Sequence, residues 1–409
     1  MVIWKNLQNL KMMELNDFFI EDSLEINWAF VRTLPHFKEM ENTQQNPRWH
    51  SEGNCLKHVQ LTCEYAIRYM EEDTDRSLRN KRLFILAALF HDVGKPKTTF
   101  KGEKDGNWHS YGHENVGSKI AREMLWDWDI YEREYIAHMV KWHMEPLFYQ
   151  KSKNPKGLVD KITKEVPYKD IYLLKMCDLE GALQDPSCST KERDKVILTE
   201  FYNEGEELNN VPWISMLKFF PLREHMDINR HVGCSGEIPC YKSNESTEIH
   251  MMIGLPGSGK NRYIDYIKEH NPDKEFVVLS RDDIRVELGY CSENEKIVGS
   301  DKQEKMVTKL FDERLKDAVE HNKPVIINNV NQSKKRRQAF KTFLGNKKIR
   351  WYYWYIEAPT LETNLERRKG QIPAGVFYNM IQNFDFPEPE EYTNLIVVKQ
   401  DSKYTKENE

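Results

Sequence analysis

Met251-Met252-Ile253-Gly254-Leu255-Pro256-Gly257-Ser258-Gly259-Lys260 reads as an apolar strand running straight into a glycine-rich loop that ends in lysine. In a G-x-x-x-x-G-K loop the glycines let backbone N–H groups turn inward onto phosphate oxygens, and the lysine reaches the terminal phosphates. Helical spacing follows at Tyr263, Ile264 and Ile267, so the stretch is a strand–loop–helix unit and not a hairpin turn. Gly254, Pro256, Gly257, Ser258, Gly259, Lys260 and Asn261 are the expected nucleotide contacts, with ATP or another NTP as ligand and Mg2+ as its ion. Asn261 stands where a serine or threonine would usually offer a hydroxyl to magnesium. An amide oxygen is a bulkier ligand for that small ion.

Working outward, short apolar runs alternate with helical stretches from residue 248 on. Strands are expected at Ile249–Ile253, Phe276–Leu279, Val325–Ile327, Trp351–Ile356 and Leu395–Val398. Such alternation predicts an α/β domain with a parallel sheet and helices on both faces. Ligands of these sheets gather beyond the carboxyl ends of the strands. Ser280-Arg281-Asp282-Asp283-Ile284-Arg285 follows the second strand and falls there. Ser280 caps the next helix, which leaves Asp282 free as a general base with Arg285 on the same helix face, or as the partner of Arg285 in a surface ion pair.

Upstream the pattern is helical. Thirteen histidines are present, and seven of them (His50, His58, His91, His109, His113, His138 and His143) crowd one stretch. The apolar run Leu83–Phe90 predicts a central buried helix that delivers His91 and Asp92 at its end. Burying that doublet is costly without a cation or partners. Further ligands are sought on neighbouring helices, in His58, His113, His143 and Asp178. His138 competes with His143 for one inward position. Mixed N/O ligands favour Mn2+, Fe2+, Co2+ or Ni2+ over Mg2+ and Zn2+.

The 409 residues allow two or three domains. The expected division is a multidomain chain with an all-α unit at 1–202, a packed connector at 203–247 carrying a short helix near Trp213–Phe220, and the phosphate-loop domain at 248–409. With 39% hydrophobic and 31% charged residues and no apolar run near the roughly 20 residues of a membrane span, no membrane association is expected. Seven cysteines without a C-x-x-C pair suggest a reducing cytoplasm. Cys234 and Cys240 could form half a zinc site or be ordinary loop cysteines. A net charge of −5 excludes a generally basic coat for long nucleic acid. It leaves room for a grip on strand ends, for which Lys334, Lys335, Arg336 and Arg337 are the candidate cations; a solvated helix face is the other reading of that run.

His58, His91-Asp92 and Asp178 together resemble the HD phosphohydrolase superfamily. His50-Ser51-Glu52-Gly53, Leu89–Pro96 and Gly112–Gly117 are similar to the HD domain of bacterial tRNA nucleotidyltransferases. This resemblance covers about residues 30–190. It implies a helical domain holding one or two metals and acting on 2′,3′-cyclic and 2′-phosphate ends. By it His58, His91, Asp92 and Asp178 are core ligands, His113 and His143 complete a second metal, and Lys95 neutralises phosphate charge.

Residues 249–392 resemble the 5′-OH polynucleotide kinase family. The resemblance implies that Asp282 deprotonates the 5′-hydroxyl, Arg285 engages the acceptor, and a lid arginine, Arg367 or failing that Arg368, clamps the transition state. Where that family carries an aspartate after its third strand, this chain reads Asn328-Asn329-Val330-Asn331.

The two halves together are similar to the bacterial HD-domain polynucleotide kinases, which heal RNA ends. The partners this implies are RNA ends, with DNA ends as the alternative, a downstream RNA ligase and a second copy of the chain. Two other readings stay open: an HD nucleotidase joined to a small-molecule or nucleoside kinase, and a non-catalytic sensor of RNA ends.

Overall fold

A computed structural model describes residues 13–187, 189–212, 246–291, 300–369 and 371–399. The chain divides into two compact units, within 1–219 and 220–409.

In the first unit α1 (Cys55–Glu72), α2 (Leu78–Phe90), α3 (His113–Met124), α4 (Ile130–Trp142) and α5 (Tyr168–Gly181) build the core, followed by α6 (Lys191–Leu208). Nine residues in succession, Arg82 to Phe90, are buried in α2, as its unbroken apolar run predicts. The helix starts a turn before that run because Ser77 caps it, its hydroxyl accepting from Asn80 N. A two-residue hairpin, β1 (Phe100–Lys101) against β2 (Trp108–His109), interrupts the helices. Strands this short carry no periodicity, so sequence reading passed over them. The segment expected to open the connector at Asn203 instead continues α6 to Leu208, and Asn209 ends it in the left-handed conformation at φ 45. The expected helix near Trp213–Phe220, and Cys234 and Cys240, lie outside the described residues.

The second unit is a five-stranded parallel sheet: β3 (Thr247–Ile253), β4 (Val277–Leu279), β5 (Val325–Asn328), β6 (Ile349–Glu357) and β7 (Asn394–Lys399), in spatial order β4-β5-β3-β6-β7. Met252 of the central β3 packs with Ile326, Trp354 and Ile356 against Ile264 and Ile267 of α7 (Lys260–Glu269). α8 (Arg281–Glu287) follows β4, and α9 (Asp301–Glu320) packs on β4 and β5. α10 (Lys334–Leu344), α11 (Leu361–Arg367) and α12 (Ala374–Gln382) complete the described helices. Consecutive strands connect through helices, and the strand order reverses beside β3. The phosphate loop leaves the sheet at that switch point, where ligands of open α/β sheets bind.

Among the described residues no helix is long and apolar enough to cross a membrane.

Candidate functional sites

In the helical unit, α1 brings His58 from its first turn, where Asn54 caps the helix by accepting from Lys57 N at 2.9 Å. α2 delivers His91 as its C-cap and Asp92 just beyond. Gly94 then passes so close to α3 that a Cβ there would lie 2.1 Å from the carbonyl oxygen of His113. Only glycine allows this approach, and it sets Asp92 against His113.

The carboxylate of Asp92 divides its two oxygens between two groups of imidazoles. Oδ2 lies 3.2 Å from His91 Nε2 and 3.7 Å from His58 Nε2. Oδ1 lies 3.2 Å from His113 Nε2 and 3.9 Å from His143 Nε2. Asp178 Oδ1 closes the first group, 2.9 Å from His58 Nε2 and 3.8 Å from His91 Nε2. The sequence expectation placed six residues in this centre, and α1 to α5 bring all six together. His138 is not among them: its Nδ1 donates to Glu134 O at 2.7 Å.

The histidines are held in one tautomer from behind. Nδ1 of His91, His113 and His143 donates to the carbonyls of Ala88, Ser110 and Val140, each at 2.7 Å. Each Nε2 is therefore turned inward as a potential ligand. Two consequences fit a cation. His91 Nε2 is buried without a hydrogen-bond partner among the described residues. His113 Nε2 and His143 Nε2 stand 3.2 Å apart. With both Nδ1 protons spent on carbonyls, a proton or a cation must lie between them.

Burial disfavours charge on His58, but the carboxylates of Asp178 and Glu52 more than offset it and raise the imidazole to about 9. Proton and divalent cation thus compete for Nε2. Burial alone would raise the Asp92 carboxyl, yet His91 and Lys95 hold it well below the usual range. Lys95 Nζ sits 2.6 Å from Asp92 Oδ2 and donates to Gln45 Oε1 at 2.8 Å. Residues that fit a metal centre are therefore present: imidazole nitrogens and carboxylate oxygens, preset and partly unsatisfied.

Glu52, within His50-Ser51-Glu52-Gly53, joins this site although nothing in its local sequence marks it. Its Oε1 accepts from His50 Nδ1 at 2.8 Å and lies 3.0 Å from His58 Nδ1, close but poorly aligned for a hydrogen bond. Burial opposes its ionisation, while His50 and His58 hold the carboxyl down at about 2.

In the sheet unit, Gly257 adopts φ 79 and Gly259 φ 85, left-handed turns that favour glycine. The loop opens on a cleft of about 1580 Å³ lined by Lys260, Asn261, Asp282, Arg285, Arg336 and Arg367, among others. One small ligand needs no more than about 1000 Å³, so the cleft has room for two reactants. Lys260 Nζ donates to the carbonyls of Gly254 and Leu255 at 2.8 and 2.9 Å. Desolvation in the loop, then nearby Arg368, pull its amine down to about 7 against the attraction of Asp282. Arg367 donates from Nη1 to Gly257 O at 2.9 Å, and Asn364 donates to Pro256 O at 2.9 Å, so α11 rests directly on the loop.

Asp282 pairs with Arg285 at 2.5 Å while its own side chain stays 49% exposed. Arg285 is in turn gripped by Glu304, Nε to Oε1 at 2.7 Å and Nη2 to Oε2 at 2.9 Å. Glu304 lies on α9, some 20 residues away in sequence, and nothing in its local pattern marks it. The asparagines bond to the chain around the loop. Asn329 Oδ1 accepts from Arg281 N at 3.1 Å and so anchors α8. Asn328, its neighbour, donates to Asn261 Oδ1 at 3.0 Å. The run at 334–337 is also only partly available. Arg337 is fully buried in a two-pronged pair with Glu391, both bonds 2.8 Å, and Lys334 pairs with Glu388, whereas Arg336 faces the cleft.

Comparison with known proteins agrees with this division. Residues 56–170 match the HD domain family and residues 249–387 match the AAA domain family. The "Multifunctional CCA protein" of Actinobacillus pleuropneumoniae serotype 5b is 31% identical over 122 residues, which are 30% of this chain and 27% of that protein. The "CC-adding tRNA nucleotidyltransferase" of Thermus thermophilus is 43% identical over 65 residues, 15% of each chain. The chain thus spans about a quarter or less of the curated relatives it matches. A solved structure of a "Pnkp1/Rnl/Hen1 RNA repair complex" aligns at 21% identity and a TM-score of 0.30, over 36% of this chain and 49% of its own. The chain therefore carries a helical HD domain over residues 56–170 and, over 249–387, an AAA-family phosphate-loop domain built on a five-stranded parallel sheet.

Proposed function

We propose that the protein heals RNA ends: the HD domain hydrolyses 2′,3′-cyclic phosphate and 2′-phosphate termini, and the phosphate-loop domain moves the γ-phosphate of an NTP to a 5′-hydroxyl. The observation that carries this reading is Asp282. A half-exposed carboxylate, oriented by a guanidinium and facing the cleft that the phosphate loop opens on, is what a kinase needs to take a proton from an acceptor hydroxyl. In the step it serves, the acceptor oxygen forms a bond to the γ-phosphorus, the bond to the bridging oxygen of the donor breaks, and the hydroxyl proton passes to Asp282. Lys260 leaves its loop carbonyls for the donor phosphates. Arg285, fixed by Glu304, keeps Asp282 pointed at the acceptor. Arg367 is placed on the loop to steady charge on the transferring group.

In the HD domain, His58, His91, Asp92 and Asp178 would hold one divalent ion, and Asp92, His113 and His143 a second. When bound, such ions supply the Lewis acidity that activates a water and polarises a phosphoryl oxygen. Lys95 and Lys175 line the same cleft and bring positive charge to an incoming phosphate. Glu52 keeps His58 in position. A nucleic acid ligase needs a 3′-hydroxyl and a 5′-phosphate, so the two activities prepare both sides of one break, and an RNA ligase is the expected downstream partner.

The reading is tested with the whole chain, ATP, Mg2+ and Mn2+, on an RNA with 5′-hydroxyl and 2′,3′-cyclic phosphate ends, in parallel with nucleosides and nucleoside 2′,3′-cyclic phosphates. Conversion of both RNA termini, in preference to the mononucleosides, is expected. Turnover of the mononucleosides alone would favour a nucleotidase joined to a small-molecule kinase. Tight RNA binding with no turnover would favour an end sensor.

A further inference from the structure

The hairpin between Lys95 and His113 is more aromatic than its size requires. Phe100, His109 and Tyr111 cluster at it, with ring centroids 5.6 Å apart for Phe100–His109 and 5.2 Å for the stacked pair His109–Tyr111, while Trp108 pairs with Lys101, whose Nζ lies 5.9 Å from its ring centroid. A hairpin's own small core would bury such rings. Here Tyr111 is 72% exposed and Phe100 48%. Trp108 and Tyr111 line the same cleft of about 850 Å³ that reaches Asp92 and His113, and Phe148 with Lys151 forms part of its rim. Lys151 Nζ lies 4.3 Å from the Phe148 ring centroid.

The hairpin is tied to the phosphohydrolase centre at both ends. Thr99 binds the carbonyl of Lys95 through its N–H and its hydroxyl, at 2.9 and 2.7 Å. Thr99 Oγ1 also meets Ser110 Oγ at 2.7 Å, and the Ser110 carbonyl is the group that orients His113. Hydrogen bonds therefore join the base of the hairpin to the backbone that orients His113. Exposed rings interleaved with cations beside a phosphate-binding centre are the features by which proteins hold single-stranded nucleic acid, because every base has a face to stack.

We propose that Trp108 and Tyr111 form a stacking platform for the unpaired bases next to the terminal phosphate, so that the HD cleft takes polynucleotide ends and not only mononucleotides. The proposal rests on the end-healing reading of the HD domain and adds to it the part of the substrate beyond the phosphate. Sequence tolerance follows, since stacking does not read base edges.

The test compares KM for two short RNAs ending in a 2′,3′-cyclic phosphate, one with ordinary bases and one abasic at the two nucleotides before the end. The wild-type chain should show a KM roughly tenfold or more higher for the abasic RNA. Tyr111→Ala, at a position exposed enough not to disturb folding, should shrink that ratio toward one. Tyr111→Trp should preserve it. A ratio near one in the wild-type chain, or an undiminished ratio in Tyr111→Ala, would overturn the platform while leaving the hydrolytic reading intact. Hydrolysis of neither RNA by the wild-type chain would instead remove the end-healing reading, and the platform with it.

Discussion

The Asp92 centre and the phosphate-loop cleft are built in opposite ways. Around Asp92, five helices converge, all six candidate ligand side chains are buried, and His91, His113 and His143 are each braced from behind by a carbonyl, while Glu52 lies 3.0 Å behind His58. The cleft is open. Asp282 is half exposed, Lys260 is folded onto its own loop, and α11 rests on that loop through two side-chain bonds. A preassembled metal centre gains from rigidity, because misplaced ligands cost affinity. On the proposed reading, a transferase that must admit two substrates and then exclude water would gain from parts that can rearrange.

This contrast can be broken experimentally. The largest effect should follow metal removal. Chelation is expected to abolish opening of the cyclic phosphate, and Mn2+, Co2+, Ni2+ or Fe2+ should restore it better than Mg2+, since imidazole suits those ions. Full recovery with Mg2+ alone, measured by single-metal add-back, would mean that the imidazoles are not the ligands. Next comes Glu52→Gln, which loosens the brace behind His58. Metal affinity by titration should fall roughly 10–100-fold. Unaltered affinity would make Glu52 a passive neighbour.

On the open side the effects should be smaller. Glu304→Gln frees Arg285 from its two-pronged anchor, and kinase kcat should drop about tenfold, the cost of one charged hydrogen-bonded contact. No change would show that Asp282 needs no such support. Smallest is Asn261→Ser. The loss of the Asn261–Asn328 bond and the gain of a hydroxyl should lower the Mg2+ concentration for half-maximal phosphorylation by a few-fold. An unchanged or higher requirement would indicate that the amide already serves the ion.

Legibility in the sequence follows the same contrast. Strand–loop–helix chemistry is local, so the glycine loop, the cap at Ser280 and the five strands could be read in order along the chain. The six residues of the Asp92 centre are also legible, because a histidine and an aspartate ending an apolar helix are costly to bury without a cation, and the resemblance supplies their partners. What stayed hidden depends on contacts across the fold. Glu304 and Glu52 act on residues of other elements, and the pairing of Asn261 with Asn328 rather than Asn329 depends on how β5 ends against the loop. Arg337 looked like one of four surface cations until Glu391, 54 residues on, was seen to bury it. The hairpin just before Tyr111 is not legible because two-residue strands have no period.

The central claim is that one chain carries two independent phosphate chemistries. It is tested most directly by resolving both termini of a single RNA, bearing 5′-hydroxyl and 2′,3′-cyclic phosphate ends, after treatment with wild-type, Asp92→Ala and Lys260→Ala proteins in parallel. Wild-type protein should convert both ends. Asp92→Ala should lose cyclic-phosphate opening and keep 5′-phosphorylation, and Lys260→Ala should do the reverse. Loss of both activities from either single, folded variant would contradict two self-contained sites.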